Sequence, residues 1–250
     1  MKVSVIVPAR LQSSRFPQKI LQNLGGVPIL RRVLERLRRL QTVDEIVALV
    51  DDGKVLQLVS QWGFRGILTP TDCASGTERI VFSREKLAGD FILNVQGDEP
   101  FISLSLLGEM ISVAKNFDGD ALTAIYPIAS AEALLNPNRV KVVLDARDRA
   151  IYFSRHPIPF LRDISERERW PTHHQFWGHI GVYGYSRKIL SQYPSLGEGI
   201  LEKAERLEQL RLLENGISIQ CIRTDEAALG IDTPEDLVAA EEFLQLHPEF

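Results

Sequence analysis

Short apolar, β-branched runs alternate with amphipathic stretches along most of this chain, a pattern that predicts a parallel sheet with crossover helices. Val3–Val7 reads as a first, buried strand. Leu30, Val33, Leu34, Leu37 and Leu40 then recur at helical spacing, with Arg31, Arg32, Arg36, Arg38 and Arg39 on the other faces. Those arginines are read as a solvated helix surface rather than a nucleic-acid stripe. Strands are expected at Glu45–Val50, Ile67–Leu68, Phe91–Val95 and Ala121–Pro127, with helices near Val55–Trp62 and from Ser103 to Lys115. The almost unbroken apolarity of Phe91–Val95 suits a central strand.

The rhythm then changes. Val140–Leu144 and Ala150–Phe153 flank a polar turn and predict an antiparallel hairpin. Residues 156–175 read as an irregular excursion, followed by a strand at Trp177–Tyr185. Helices are expected at Arg187–Tyr193 and Ile200–Asn215, the second stopped by Asn215-Gly216. A strand at Ile217–Ile222 and a last helix follow, with Thr233 as N-cap and Pro234 in its first turn. The expected architecture is a doubly wound α/β core of mostly parallel sheet, with a small antiparallel lobe at about 140–185 inside one domain spanning 1–250.

Composition agrees with a globular chain: 44% of the 250 residues are hydrophobic and 25% charged, which excludes a disordered or fibrous protein. Lys and Arg number 29 against 33 Asp and Glu, a net charge of −4 that argues against a general nucleic-acid surface. It does not argue against anionic substrates, which are held by local charge. Cys73 and Cys221 make no disulfide framework, so a reduced, cytoplasmic setting is expected. No run approaches the ~18 apolar residues of a membrane span, and the apolar start ends too soon at Arg10 for a signal peptide. Neither export nor membrane contact is expected.

In such sheets ligands bind beyond the carboxyl ends of the strands. After the first strand comes Arg10-Leu11-Gln12-Ser13-Ser14-Arg15-Phe16-Pro17-Gln18-Lys19, whose three cations can wrap a polyphosphate. It is neither a P-loop nor a Gly-x-Gly-x-x-Gly turn. Ser75-Gly76-Thr77 follows the third strand as a helix start with a close-approach glycine. Asp98, in Gln96-Gly97-Asp98-Glu99-Pro100, stands at the end of an apolar strand, and an acid there needs a metal or a cation. Asp232 supplies a second carboxylate from far along the chain. Two acids and a basic loop suit a magnesium–triphosphate site. His173-His174 has no partner at metal spacing, which argues against zinc.

These segments together resemble the 3-deoxy-manno-octulosonate (Kdo) cytidylyltransferases, or CMP-Kdo synthetases, over essentially the whole chain. The carriers are Ile6-Val7-Pro8-Ala9-Arg10, Ser14-Arg15-Phe16-Pro17-Gln18-Lys19, Ser75-Gly76-Thr77-Glu78-Arg79 and Asn94-Val95-Gln96-Gly97-Asp98-Glu99-Pro100. Asn136-Pro137-Asn138 with Val140-Lys141-Val142-Val143, Tyr152-Phe153-Ser154-Arg155, His179-Ile180-Gly181-Val182-Tyr183-Gly184-Tyr185, Leu207-Glu208-Gln209-Leu210-Arg211 and Gly230-Ile231-Asp232-Thr233-Pro234 continue the set in order. The first motif alone is shared by many sugar nucleotidyltransferases; the ordered set is much more specific. The resemblance implies a Rossmann-like fold, Mg²⁺, a homodimer, and the reaction of CTP with Kdo to give CMP-Kdo and pyrophosphate for lipopolysaccharide biosynthesis.

Carried onto this chain, it implies that Arg10, Arg15 and Lys19 hold the CTP phosphates and that Ala74 and Ser75 lie near the cytosine. Asp98 and Asp232 would bind Mg²⁺, with Lys19, Arg10 and Asp98 closest to the chemistry. Arg79, Gln96, Arg155, His179, Tyr185, Glu208 and Gln209 would face the sugar acid. Three positions depart from the family pattern: Gln18 replaces a common Gly, Cys73 a frequent His, and Val50 the usual Thr before Asp51. The alternatives are a sibling enzyme for 8-amino-Kdo or another sugar acid, and a non-catalytic nucleotide-binding module. Residues 152–155 and 179–185 favour Kdo over sialic acid. The module would be favoured by loss of Lys19 or of either acid, and all three are present.

Overall fold

The computed structural model describes all residues except 14–15, 74, 118, 227–228 and 248–249. The chain divides into two compact units, Met1–Lys115 with Ala228–Phe250, and Asn116–Ala227. The expected lobe at about 140–185 lies within the second.

In the first unit, β1 (Val3–Ala9) is buried at every position. A two-stranded antiparallel ribbon, β2 (Asn23–Leu24) and β3 (Val27–Pro28), leads into α1 (Ile29–Leu37). Then come β4 (Glu45–Val50), α2 (Gly53–Gln61), β5 (Arg65–Leu68), α3 (Gly76–Ser83), β6 (Phe91–Asn94) and α4 (Leu104–Lys115). β1 lies parallel to β4 on one side and to β6 on the other, and β5 pairs parallel with β4. All four strands therefore end on one edge, and the loops after Ala9, Val50, Leu68 and Asn94 share it. That is where a ligand site belongs in an open α/β sheet.

The expected solvated arginine face of α1 is corrected in part. Arg31 does pair with Glu35 at the surface. Arg36, however, is buried; its Nε donates to the Ile102 carbonyl at 2.6 Å, and its guanidinium lies 3.9 Å over the Phe250 ring. Arg32 donates to the Leu24 carbonyl at 2.5 Å, and Arg38 to those of Trp62 and Gly63. A forked, weakly hydrated guanidinium on an apolar stem can satisfy carbonyls that a sequence pattern leaves out of view.

The C-terminal helix, Pro234–Leu246, is capped as expected, Thr233 Oγ1 accepting from the Asp236 backbone N–H at 3.2 Å. Its Leu237, Phe243 and Leu244 pack, with Phe16, on a core of Leu24, Ile29, Phe101, Ile231 and Ala240.

The second unit holds β7 (Ala121–Ile128), α5 (Ala131–Leu135), β8 (Lys141–Leu144), β9 (Ala150–Ser154), β10 (Phe176–Ser186), α6 (Arg187–Gln192), α7 (Ile200–Glu205), α8 (Leu210–Glu214) and β11 (Ile219–Arg223). β10 is antiparallel to β7 and β8, the expected β8–β9 hairpin forms, and β11 runs parallel to β7. The irregular excursion contains a 3₁₀ turn, Arg167–Thr172, pinned by the buried Trp170, whose indole N–H donates to the Ile164 carbonyl at 2.8 Å. The α5 helix was not expected; at five residues it is too short for a periodic pattern.

The single helix expected over Ile200–Asn215 is two. Arg206 takes a left-handed conformation, φ 55°, and ends α7. Glu202 grips Arg211 with two hydrogen bonds of 2.7 and 2.8 Å. Glu214 accepts from the backbone N–H groups of Leu201 and Glu202 at the start of α7, so two short helices are tied side by side. Gly216, at φ 72°, supplies the expected stop. Both cysteines are free.

Candidate active site

Three of the expected site residues converge in the first unit. Lys19 begins a short 3₁₀ turn after the β1 loop, and its ammonium donates to Asp98 Oδ2 and, at 2.8 Å, to Asp232 Oδ1. Asp98 follows β6 and Asp232 precedes the C-terminal helix, so the contact spans 213 residues of sequence. Two backbone devices set the geometry. The Ile231 N–H donates to the Asp98 carbonyl at 3.0 Å, and Asp236 Oδ2 accepts from the Asp232 and Thr233 N–H groups at 2.9 and 2.8 Å. Gly97 eases the close approach of the two strand ends, since a Cβ there would lie a tight 3.1 Å from the Pro8 carbonyl oxygen.

Lys19 is buried. Burial alone would lower the pKa of its ammonium, but attraction to Asp98 and hydrogen bonds to both acids outweigh that and raise it. The neighbouring Glu99 behaves oppositely. Burial first, then repulsion from Asp98 and Asp232, pushes its carboxyl up to about 8, so it is neutral at pH 7. Its Oε2 has no hydrogen-bond partner among the described residues. Arg10 extends from the end of β1 as an exposed cation. Arg15 and Ala74 lie outside the described residues.

Ser75 is the N-cap of α3, its hydroxyl accepting from the Glu78 N–H at 3.2 Å. Gly76 of the same turn sits against Pro8 and near Gln96. Arg79, one turn on, is buried and pairs with Asp51 at 2.9 Å.

The remaining expected residues belong to the second unit. His179 is partly buried on β10 and its imidazole pKa is lowered to about 3 by burial. Its Nε2 lies 2.9 Å from Thr123 Oγ1, which also contacts the Val182 carbonyl at 2.8 Å. Tyr183 packs against His179 and stacks on the buried Tyr185 at 5.8 Å between ring centroids. Glu208 and Gln209 occupy the turn between α7 and α8, and the buried Gln209 has an Nε2 without a partner among the described residues. Arg155 is held by backbone: its guanidinium donates to the carbonyls of Glu205, Arg206 and Pro137.

Residues 4–219 match the family model for cytidylyltransferases. The 3-deoxy-manno-octulosonate cytidylyltransferase of Chloroherpeton thalassium is 38% identical over 247 residues, covering 98% of each chain. That of Bacteroides thetaiotaomicron is 40% identical over 250 residues, covering 98% of this chain and 99% of its own. The chain belongs to the 3-deoxy-manno-octulosonate cytidylyltransferase family. A solved CMP:2-keto-3-deoxy-manno-octonic acid synthetase complexed with CTP matches this cytidylyltransferase with a TM-score of 0.90 at 35% identity, covering 98% of this chain and 99% of that one.

Three functional candidates of this cytidylyltransferase escaped the sequence reading. Asp51 is an acid at the carboxyl end of a strand, the same signal that singled out Asp98, and could have been found that way. Glu99 sat inside a quoted motif and gave no sign of its neutral state. Glu205 accepts from Ser154 Oγ at 2.6 Å and from the Arg155 N–H at 2.9 Å, a pairing across 51 and 50 residues that no local pattern carries.

Proposed function

We propose that this chain transfers CMP from CTP to the anomeric hydroxyl of Kdo, releasing pyrophosphate and activating Kdo for lipopolysaccharide assembly. The observation that carries this reading is the convergence of Lys19, Asp98 and Asp232 at the carboxyl edge of the first unit's sheet, in a chain of this family. The sugar hydroxyl attacks the α-phosphorus in line, one P–O bond forms, the bond to pyrophosphate breaks, and the hydroxyl proton passes to solvent. Positioning and charge neutralisation carry such a transfer, and no protein nucleophile is required. Arg10, Arg15 and Lys19 bind the phosphates. Ser75, with Ala74, faces the cytosine. Gln96, Arg155, His179, Tyr185, Glu208 and Gln209 orient the sugar acid, and Arg79 supports the site through its pair with Asp51.

Asp98 and Asp232 would hold Mg²⁺. Their carboxylates already share one cation, the Lys19 ammonium, and Mg²⁺ is usually held by one or two carboxylates together with substrate phosphates. Among the described residues no group of three or more His, Cys, Asp or Glu forms a metal cage, so the remaining ligands would be substrate and water. When bound, the ion would neutralise phosphate charge and lower the pKa of the attacking hydroxyl. A homodimer in the cytoplasm is the expected setting. Among the described residues no helix is long and apolar enough to cross a membrane.

The test is pyrophosphate release from CTP and Mg²⁺ with Kdo, 8-amino-Kdo or sialic acid as acceptor. Release with Kdo is expected; none with any acceptor would sink the enzyme reading, and a preference for 8-amino-Kdo would transfer it to the sibling activity.

A further inference from the structure

We propose that Asp51 is a positioning residue that sets the phosphate-binding loop by holding its first turn from below. It rests on the reading of residues 10–19 as that loop. Asp51 follows β4, and its side chain is 5% exposed. Oδ1 accepts the Leu11 N–H at 2.8 Å, the peptide directly after Arg10. Oδ2 accepts from Arg79 Nη2 at 2.9 Å. The Arg79 side chain is 3% exposed, and its Nη1 donates to Thr69 Oγ1 at 2.7 Å and to the Pro70 carbonyl at 2.9 Å. Thr69 Oγ1 in turn donates a hydrogen bond to the Val50 carbonyl at 3.0 Å.

One buried network thus joins the loop after β1, the end of β4, the loop after β5 and helix α3. A buried ion pair is a weak source of stability, because both charges lose their water. This one supplies geometry. Arg10 and Gln12 are exposed on either side of Leu11, so the Leu11 bond is the anchor of that segment. If the loop lifts, the Asp51 carboxylate loses a donor in a buried place, where a lost hydrogen bond is most expensive. Arg79 keeps that carboxylate facing Leu11, while α3 carries the Ser75 cap on the same helix.

The experiment compares wild type, Asp51→Asn and Asp51→Ala, with thermal melting of each. CTP affinity is measured by calorimetry without sugar, and kcat by pyrophosphate release with Kdo. In Asp51→Ala the CTP dissociation constant is expected to rise about tenfold, the loss of one charge-assisted phosphate contact as Arg10 shifts. Its kcat is expected to fall roughly 100-fold through misplacement of the reacting groups. Asp51→Asn keeps an amide oxygen for the Leu11 N–H and should recover about tenfold of that kcat, since orientation is partly restored. A merely structural role would lower the melting temperature and leave affinity and kcat untouched. Wild-type CTP affinity and kcat in Asp51→Ala overturn the proposal, as does an equal loss in Asn and Ala. If Asp51→Ala does not fold, Asp51→Val, which also lacks the acceptor, takes its place, and wild-type CTP affinity and kcat in it overturn the proposal. If wild type releases no pyrophosphate with Kdo, the functional reading fails, while the CTP titration still decides the role of Asp51.

Discussion

Gln18, immediately before the catalytic lysine candidate, sits at φ 53° and ψ 29°, in the left-handed region. An L-residue there carries a penalty of about 1–2 kcal/mol from its Cβ against the following carbonyl. Replacing it with Gly removes that penalty and adds unfolded-state freedom that costs about 0.4–1 kcal/mol. The side chain is exposed, so no buried contact is lost. Gln18→Gly should therefore stabilise the protein by about 0.5–1 kcal/mol. For a chain of this size that corresponds to roughly 1–4 °C in melting temperature. Gln18→Ala serves as control, because it keeps the Cβ and should gain nothing. Calorimetry and urea unfolding at pH 7 provide the readout. A Gly variant no more stable than the Ala variant would refute the reasoning, since it would mean the left-handed turn before Lys19 is not strained.

Lys19→Met should lower kcat by about 10²–10³, the usual effect of removing a single transition-state charge donor; a wild-type rate would move the phosphate site elsewhere. His179 is a base held uncharged, its pKa lowered to about 3 from 6.5. The unfolded chain therefore binds the extra proton between those values, and stability should fall as pH drops from 6.5 toward 3, by at most about 1.4 kcal/mol per pH unit. His179→Gln should flatten that acid slope in denaturant titrations, and an unchanged slope would locate the acid sensitivity in another group. Glu99 has the reverse sign: with its carboxyl raised to about 8 from 4.5, the folded state binds more protons and loses stability as pH rises through that window. In metal-free buffer Glu99→Gln should match wild type near pH 5 and exceed it near pH 8; parallel pH–stability curves would show that Glu99 is ionised throughout.

Most of the fold was legible because its strands announce themselves. Val3–Ala9, residues 47–50 and Phe91–Asn94 are short, mostly apolar runs buried on both faces, as central strands require. Caps such as Thr233 were legible too, being chemistry between residues three apart. The helix expected over Ile200–Asn215 failed for the complementary reason: its periodicity is continuous, and only the left-handed Arg206 and the Glu202–Arg211 grip, nine residues apart, break it. The arginines of α1 failed similarly, because Arg36 finds its carbonyl 66 residues away.

By itself the sequence determined the α/β class, the positions of the loops that bear chemistry, and which side chains those loops carry. Residue type and local spacing are enough for that, since strand burial, helix periodicity and capping act over a few residues. Tertiary structure decided which of those side chains meet and in what protonation state. Lys19 met carboxylates 79 and 213 residues along the chain, Glu99 became a neutral acid beside them, and Asp51 took hold of Leu11 across 40 residues. Charge and hydrogen bonding respond to burial and to neighbours in space, and those are set only when the parallel strands bring their carboxyl ends to one edge.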